Sequence, residues 1–146
     1  MCLIKFLGYI SEEDKKLVKN KYIKILEEDK TVYKILLDCL DGLSAPYRDF
    51  VYDIGRKYHI DELGTKIKEG NSNNSYLCVY EGFHAYTNLV EAQIEVRGVQ
   101  ELNDVVNDNI CRPIIVECTY PKGSKYCKDN GECVSDTIII NKIVSK

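Results

Sequence analysis

The chain has 146 residues, close to half of them hydrophobic and 29% charged, with a formal net charge of -3. That suits one globular domain burying about two thirds of the surface its unfolded form exposes. It excludes a disordered chain, a strongly basic duplex-binding surface and an acid-rich mimic of nucleic acid. No run approaches the ~20 apolar residues that cross a bilayer.

From the N-terminus, Leu3 to Tyr9 is an apolar run that reads as a strand, and Ser11-Glu12-Glu13-Asp14 supplies an N-cap with an acidic first turn. Leu17, Val18, Tyr22, Ile23, Ile25 and Leu26 then fall near helical spacing. From Thr31 the pattern becomes β-branched and aromatic, Val32-Tyr33-Lys34-Ile35-Leu36-Leu37, and predicts a strand ending at Asp41-Gly42. Leu43-Ser44-Ala45-Pro46 reads as a loop, because the residue before proline is pushed out of the α region. Phe50 to Ile54 follows as a strand closed by Gly55.

Residues 59–75, with Gly64, Gly70 and the polar run Asn71 to Ser75, lack an apolar period and are expected to form an exposed loop. Tyr76 to Tyr80 is a strand candidate, and Thr87 or Asn88 can cap a helix whose apolar side carries Leu89, Ala92 and Val96 before Gly98. A further short helix is expected over Val99 to Val106. Pro113 opens a C-terminal run of strands that reads as an antiparallel meander, with Asn130-Gly131 as its hairpin turn. The fold class expected is α+β: a single domain over 1–146 built on one curved antiparallel sheet with two or three packed helices, residues 1–30 forming a strand-helix addition.

Seven cysteines, an odd number with no recognisable secretory segment, point to free thiols in a cytoplasmic protein. They include no C-x-x-C pair, and His59 and His84 are not at zinc-finger spacing, so no metal site and no cofactor is expected. Cys127 and Cys133 flank the hairpin, where they would oppose each other. Cys2 after Met1 has the position of an N-terminal nucleophile, but no partner group can be named for it.

The candidate ligand-binding residues are Tyr47, Arg48, Phe83, His84, Tyr86 and Lys122. Tyr47-Arg48 sets an aromatic ring beside a guanidinium in a loop, a pairing suited to gripping a phosphate and stacking a base, although Arg48 can equally pair with Asp49 or Asp53. Gly82-Phe83-His84-Ala85-Tyr86 joins a strand to a helix start, where a histidine can bind phosphate, transfer a proton or simply hydrogen-bond the turn. Lys122 lies in Pro121-Lys122-Gly123-Ser124, which lacks P-loop spacing and explains itself as a corner. Eleven tyrosines without a tryptophan supply amphipathic contact surface.

Taken together, Val32-Tyr33-Lys34-Ile35, Ser44 to Tyr58, Gly82 to Tyr86, Val116-Glu117-Cys118, Pro121 to Tyr126, Gly131-Glu132, Val134-Ser135 and the final isoleucine run resemble a family of small uncharacterised proteins encoded by phages and prophages. The resemblance covers Val32 to Val144, and family members often carry tyrosine where this chain has Cys127 and Cys133. It implies no particular activity but a counter-defence setting in the host cytoplasm. The leading expectation is a non-catalytic protein, without catalytic residues, that sequesters a small anionic nucleotide-derived immune signal. The alternatives are a protein-protein inhibitor of a host defence complex and a His84-dependent enzyme of ADP-ribosyltransferase or phosphodiesterase type assisted by Tyr86 or Ser135. Neither membrane nor duplex nucleic acid is an expected partner, and a homo-oligomer is left open.

Overall fold

The structure is a computed structural model that describes residues 3–7, 11, 13–14, 22–40, 42–45, 50–61, 64–69, 76–106, 111–129 and 131–145. In chain order its strands are β1 (Leu3–Leu7), β2 (Lys24–Ile25), β3 (Lys30–Cys39), β4 (Gly42–Ser44), β5 (Val51–Tyr52), β6 (Lys57–His59) and β7 (Gly64–Glu69). After β8 (Tyr76–Glu81) and β9 (Phe83–Tyr86) comes the helix α1 (Leu89–Val106), followed by β10 (Arg112–Tyr120), β11 (Lys125–Asp129), β12 (Glu132–Ser135) and β13 (Thr137–Ser145). The domain is α+β, dominated by antiparallel sheet. One long helix stands among the described residues where two or three were expected.

Two sheets form rather than one. Strands β1, β8 and β7 make a three-stranded sheet, and the other ten form a second sheet in the order β2-β11-β12-β9-β3-β10-β13-β6, with β4 and β5 branching from β3. The expected loop over 59–75 is corrected by β7, whose Gly64 to Glu69 pairs residue for residue with Glu81 to Tyr76. Its lysines hid the strand, since a ladder is made by backbone groups that composition does not report. The C-terminal strands are not a meander: β11 pairs with β12 across the expected Asn130-Gly131 turn, but β12 turns to β9 while β13 returns to β10.

Ser11 forms the expected cap, its hydroxyl accepting the Asp14 N–H at 3.3 Å. The body of that helix, residues 15–21, lies outside the described residues; Lys24 and Ile25 at its expected end belong to β2. Asn88 caps α1 by accepting the Glu91 N–H at 2.9 Å. The helix continues through Gly98 instead of breaking there, because Ala92 and Val99 on either side are buried against Ile35, Leu37 and Ile115. Packing of that face outweighs the roughly 1 kcal/mol helix cost of an internal glycine.

The large sheet has two faces, set by the period of two. Val32, Leu36, Ile114, Val116, Cys118, Tyr120, Ile138 and Ile140 point to the inner face and form the main core with Phe83, Tyr52 and Tyr126. Tyr33, Ile35, Leu37 and Ile115 point outward beneath α1. The sheet curls strongly without closing. Strand β12 passes into β13 through the single residue Asp136, although three other strands separate them in the sheet order. Such a step is sterically feasible only if the intervening strands bend round, since neighbours are about 4.8 Å apart.

The cysteine expectation is corrected as well. Cys39 and Cys111 form a disulfide with their Cα atoms 4.4 Å apart. They extend the β3–β10 ladder by one pair beyond Asp38 and Arg112, at the close spacing of a non-hydrogen-bonded pair. Their separation of 72 positions made the pairing invisible to local spacing. Cys78, Cys118, Cys127 and Cys133 are buried outside any disulfide, as small core hydrophobes. Cys127 faces Val134 and Cys133 faces Lys128, so a one-residue offset sends the two hairpin cysteines to opposite faces instead of opposing them.

Candidate functional site

The curl brings together aromatic residues from strands distant in the sheet. Tyr52 on β5 is buried, with ring centroids 5.1 Å from Tyr58 on β6 and 6.5 Å from Phe83 on β9. Tyr58 lies 6.5 Å from Phe83, and Phe50, 40% exposed, covers the group from outside at 4.7 Å from Tyr52 and 5.6 Å from Tyr58. The interplanar angles run from 51° to 81°. These tilted and edge-on contacts are the favoured ones for aromatic quadrupoles.

Each side of this aromatic corner carries a cation. Lys34 lies on the inner face of β3 between Val32 and Leu36, where it pairs with Val116 across the ladder. Its Nζ sits 5.6 Å from the Tyr52 ring centroid and donates to the His84 carbonyl at 2.7 Å. On the outer side, the Arg56 guanidinium stands 5.4 Å from the Tyr58 ring and 3.6 Å from the Asp53 carboxylate. Cation–π contact of this kind is stronger where water is displaced, so the half-buried lysine gains more from it than the exposed arginine.

A tight turn holds Arg56 in place. Gly55 adopts φ +84°, a left-handed conformation that side chains rarely take, and its N–H donates to the Ile140 carbonyl while the Ile140 N–H donates to the Arg56 carbonyl. The Asp53 N–H donates to the Tyr58 hydroxyl at 2.7 Å. Next to the turn, Val51 and Ile54 are about half exposed.

A second polar group secures the step between β12 and β13. His59 Nδ1 lies 2.7 Å from Thr137 Oγ1, and that hydroxyl donates to Asp136 Oδ1 at 3.1 Å. A hydroxyl has one hydrogen, so Thr137 accepts from His59, which fixes the Nδ1–H tautomer. Asp136 also accepts the Lys125 N–H at 3.1 Å, and Ser135 donates to the Lys125 carbonyl at 2.8 Å. Asp136 and Thr137 are buried; the histidine is exposed.

The sequence-derived candidates do not form one constellation. Phe83 belongs to the aromatic corner. His84 and Tyr86, one and three positions on, occupy the other face of β9, and Tyr86 packs beneath α1. His84 joins the corner through its carbonyl, which receives Lys34. Ser135 pairs with Phe83 and therefore lies on the face opposite His84. Lys122 is exposed in the β10–β11 turn, which is tied down by its backbone N–H donating to Asp29 at 2.8 Å. Tyr47 and Arg48 lie outside the described residues.

Sequence reasoning missed Lys34, Phe50, Tyr52, Arg56 and Tyr58 as a group. A faint signal exists in Val32-x-Lys34-x-Leu36, where a lysine interrupts the inward-facing alternation, and in Phe50-x-Tyr52, where two rings share a spacing of two.

The core thiols have no chemical prominence. Burial pushes Cys118 up to about 12 and Cys133 up to about 11, against nearby lysine charges that pull the other way. Protonated thiols of this kind are inert. No protein-family model matches the chain, and neither a curated protein nor a solved structure is significantly similar to it.

Proposed function

We propose that this chain is a non-catalytic binding protein for a small, planar anion of the nucleotide type, held at the aromatic corner. The observation that supports this reading is the convergence of Lys34 and Arg56 on adjoining rings of one cluster, in a chain of net charge -3. Two like charges gain nothing from each other, yet the exposed Arg56 favours an anion at the Phe50 and Tyr58 edge, and Lys34 adds positive potential from the inner side of the same rings. An aromatic face accepts a base by stacking, worth about 1–3 kcal/mol, and a guanidinium can hold a phosphate in two hydrogen bonds. The resemblance to phage-encoded proteins makes sequestration of a nucleotide-derived immune signal in a host cell the setting for that chemistry.

The test is thermal unfolding with and without ADP-ribose and cyclic dinucleotides, because a ligand that binds the native state raises its stability by mass action. A rise in Tm that disappears in Arg56→Ala supports the reading; no shift with any of these ligands at millimolar concentration removes it. A second reading, inhibition of a host protein, draws on the exposed hydrophobic side chains of Phe50, Val51 and Ile54 in one short stretch of chain. A stoichiometric protein partner recovered from host lysate without bound nucleotide, and lost in Ile54→Glu, would favour that alternative.

A further inference from the structure

We infer that Cys39 and Cys111 form a reversible thiol–disulfide clip whose reduction loosens the β4–β5 arm of the sheet while the rest of the fold persists. The bond is isolated in character. The other four cysteines among the described residues are buried and outside any disulfide, so this is not the disulfide framework of a small secreted domain. Cys39 and Cys111 are both half-buried, within reach of a small reductant, and they terminate the β3–β10 ladder instead of crossing the core.

The position of Cys39 connects the clip to the arm. Cys39 pairs with Gly42 in the β3–β4 hairpin, and its sulfur lies 3.6 Å from the Ser44 hydroxyl. Gly42 has φ +127°, and a β-carbon there would come within 3.1 Å of Val51, so the hairpin is tightly built against β5. Beyond it the arm is thinly anchored in backbone pairing, since β4 has three pairs to β3 and β5 pairs with β4 alone, so that apart from the clip it is held chiefly by the buried side chains of Leu43 and Tyr52. By contrast, nine register pairs join β3 to β10 independently of the bond. The arm is therefore the element whose local opening free energy depends most on a fixed Cys39.

The chemistry balances with a dithiol as reductant. Its thiolate attacks one sulfur of the Cys39–Cys111 bond, the mixed disulfide is resolved by its second thiol, and two electrons and two protons pass to Cys39 and Cys111 as the dithiol closes to its own disulfide. Oxidation by a disulfide compound reverses the exchange.

The experiment is alkylation with mass mapping, joined to amide hydrogen exchange on the full chain before and after dithiothreitol. Under native conditions Cys39 and Cys111 should be blocked before reduction and alkylated after it, with a several-fold faster exchange in β4 and β5 and unchanged exchange in the centres of β3 and β10. The Cys39→Ser/Cys111→Ser double variant should reproduce the reduced pattern. A bond that merely staples the unfolded chain would lower Tm yet leave native exchange in β4 and β5 unaltered, because that stabilisation acts on the denatured ensemble. That result overturns the inference. So does alkylation of both cysteines in protein isolated under non-reducing conditions, or loss of protection throughout the sheet on reduction.

Discussion

The rings of Tyr58 and Phe83 lie 6.5 Å apart although their strands, β6 and β9, are four steps apart in the sheet. A flat sheet would separate them by about 19 Å at about 4.8 Å per step. The contact therefore measures the curl, and the curl is what assembles an aromatic corner from three segments of chain.

Removing the buried ring should cost far more stability than removing the exposed one. Tyr52→Ala is expected to lower the unfolding free energy by about 3–5 kcal/mol, as for other buried aromatic truncations. Phe50→Ala, at 40% exposure, should cost about 1 kcal/mol or less. Urea denaturation of both variants checks the order, and a larger loss for Phe50→Ala would contradict the arrangement of the cluster.

Arg56 should matter to binding more than to folding. Its ion pair with Asp53 is mostly exposed, so Arg56→Ala is expected to change stability by less than about 0.5 kcal/mol. Its ligand affinity, measured by calorimetry with whichever nucleotide stabilises the native protein, should fall at least about tenfold, equivalent to about 1.4 kcal/mol. Arg56→Lys should restore little, because an ammonium lacks the planar fork and the stacking face.

Asp136 secures the step between β12 and β13, and its loss should be felt in stability. Asp136→Ala strands the Lys125 N–H without its acceptor and removes the acceptor of the Thr137 hydroxyl, which must turn to His59, at a cost of about 1–3 kcal/mol. Asp136→Asn keeps a carbonyl acceptor and should cost less. Nitrogen chemical shifts of His59 should report the Nδ1–H tautomer in the native protein and a mixture in Asp136→Ala, where the Thr137 hydroxyl is free to reverse its bond.

Alkaline pH should unfold the protein through its core thiols. Cys118 and Cys133 titrate from about 9 when unfolded to about 12 and about 11 when folded, because burial opposes the thiolate. A raised folded pKa means that the stabilisation is complete below pH 9 and declines as pH rises toward 11 to 12, where the unfolded state has already released its protons. Each thiol contributes a slope of up to about 1.4 kcal/mol per pH unit in that window. Urea midpoints measured from pH 8 to 11 should fall, and Cys118→Ala should make the fall shallower.

Much of the local structure was legible in the residues. The β-branched alternation of Val32 to Leu37 specified β3, Asn130-Gly131 specified the β11–β12 hairpin, and Asn88 specified the start of α1. Each is a signal between near neighbours, set by side-chain period, turn conformation or capping. β7 escaped notice because Thr65, Lys66 and Lys68 give no apolar period, and its partner β8 supplies the missing constraint. Of the candidate site only Phe83 was named from the sequence, while Lys34 within its apolar run and the Phe50-x-Tyr52 spacing left faint signals.

By itself, then, the sequence determined the apolar strands such as β3, β8 and β10, where the principal helix would begin, and that one α+β domain would result, because those properties follow from backbone sterics and the local alternation of apolar groups; β2, β4 and β7, expected as helix or loop, were not among them. Tertiary structure decided which strands pair, that Cys39 meets Cys111, that His84 and Phe83 serve opposite faces, and that Lys34 and Arg56 converge on one set of rings. Those outcomes depend on register and on the accumulated curl of a sheet whose adjoining strands come from distant parts of the chain, and a one-residue change in pairing would reverse every face involved.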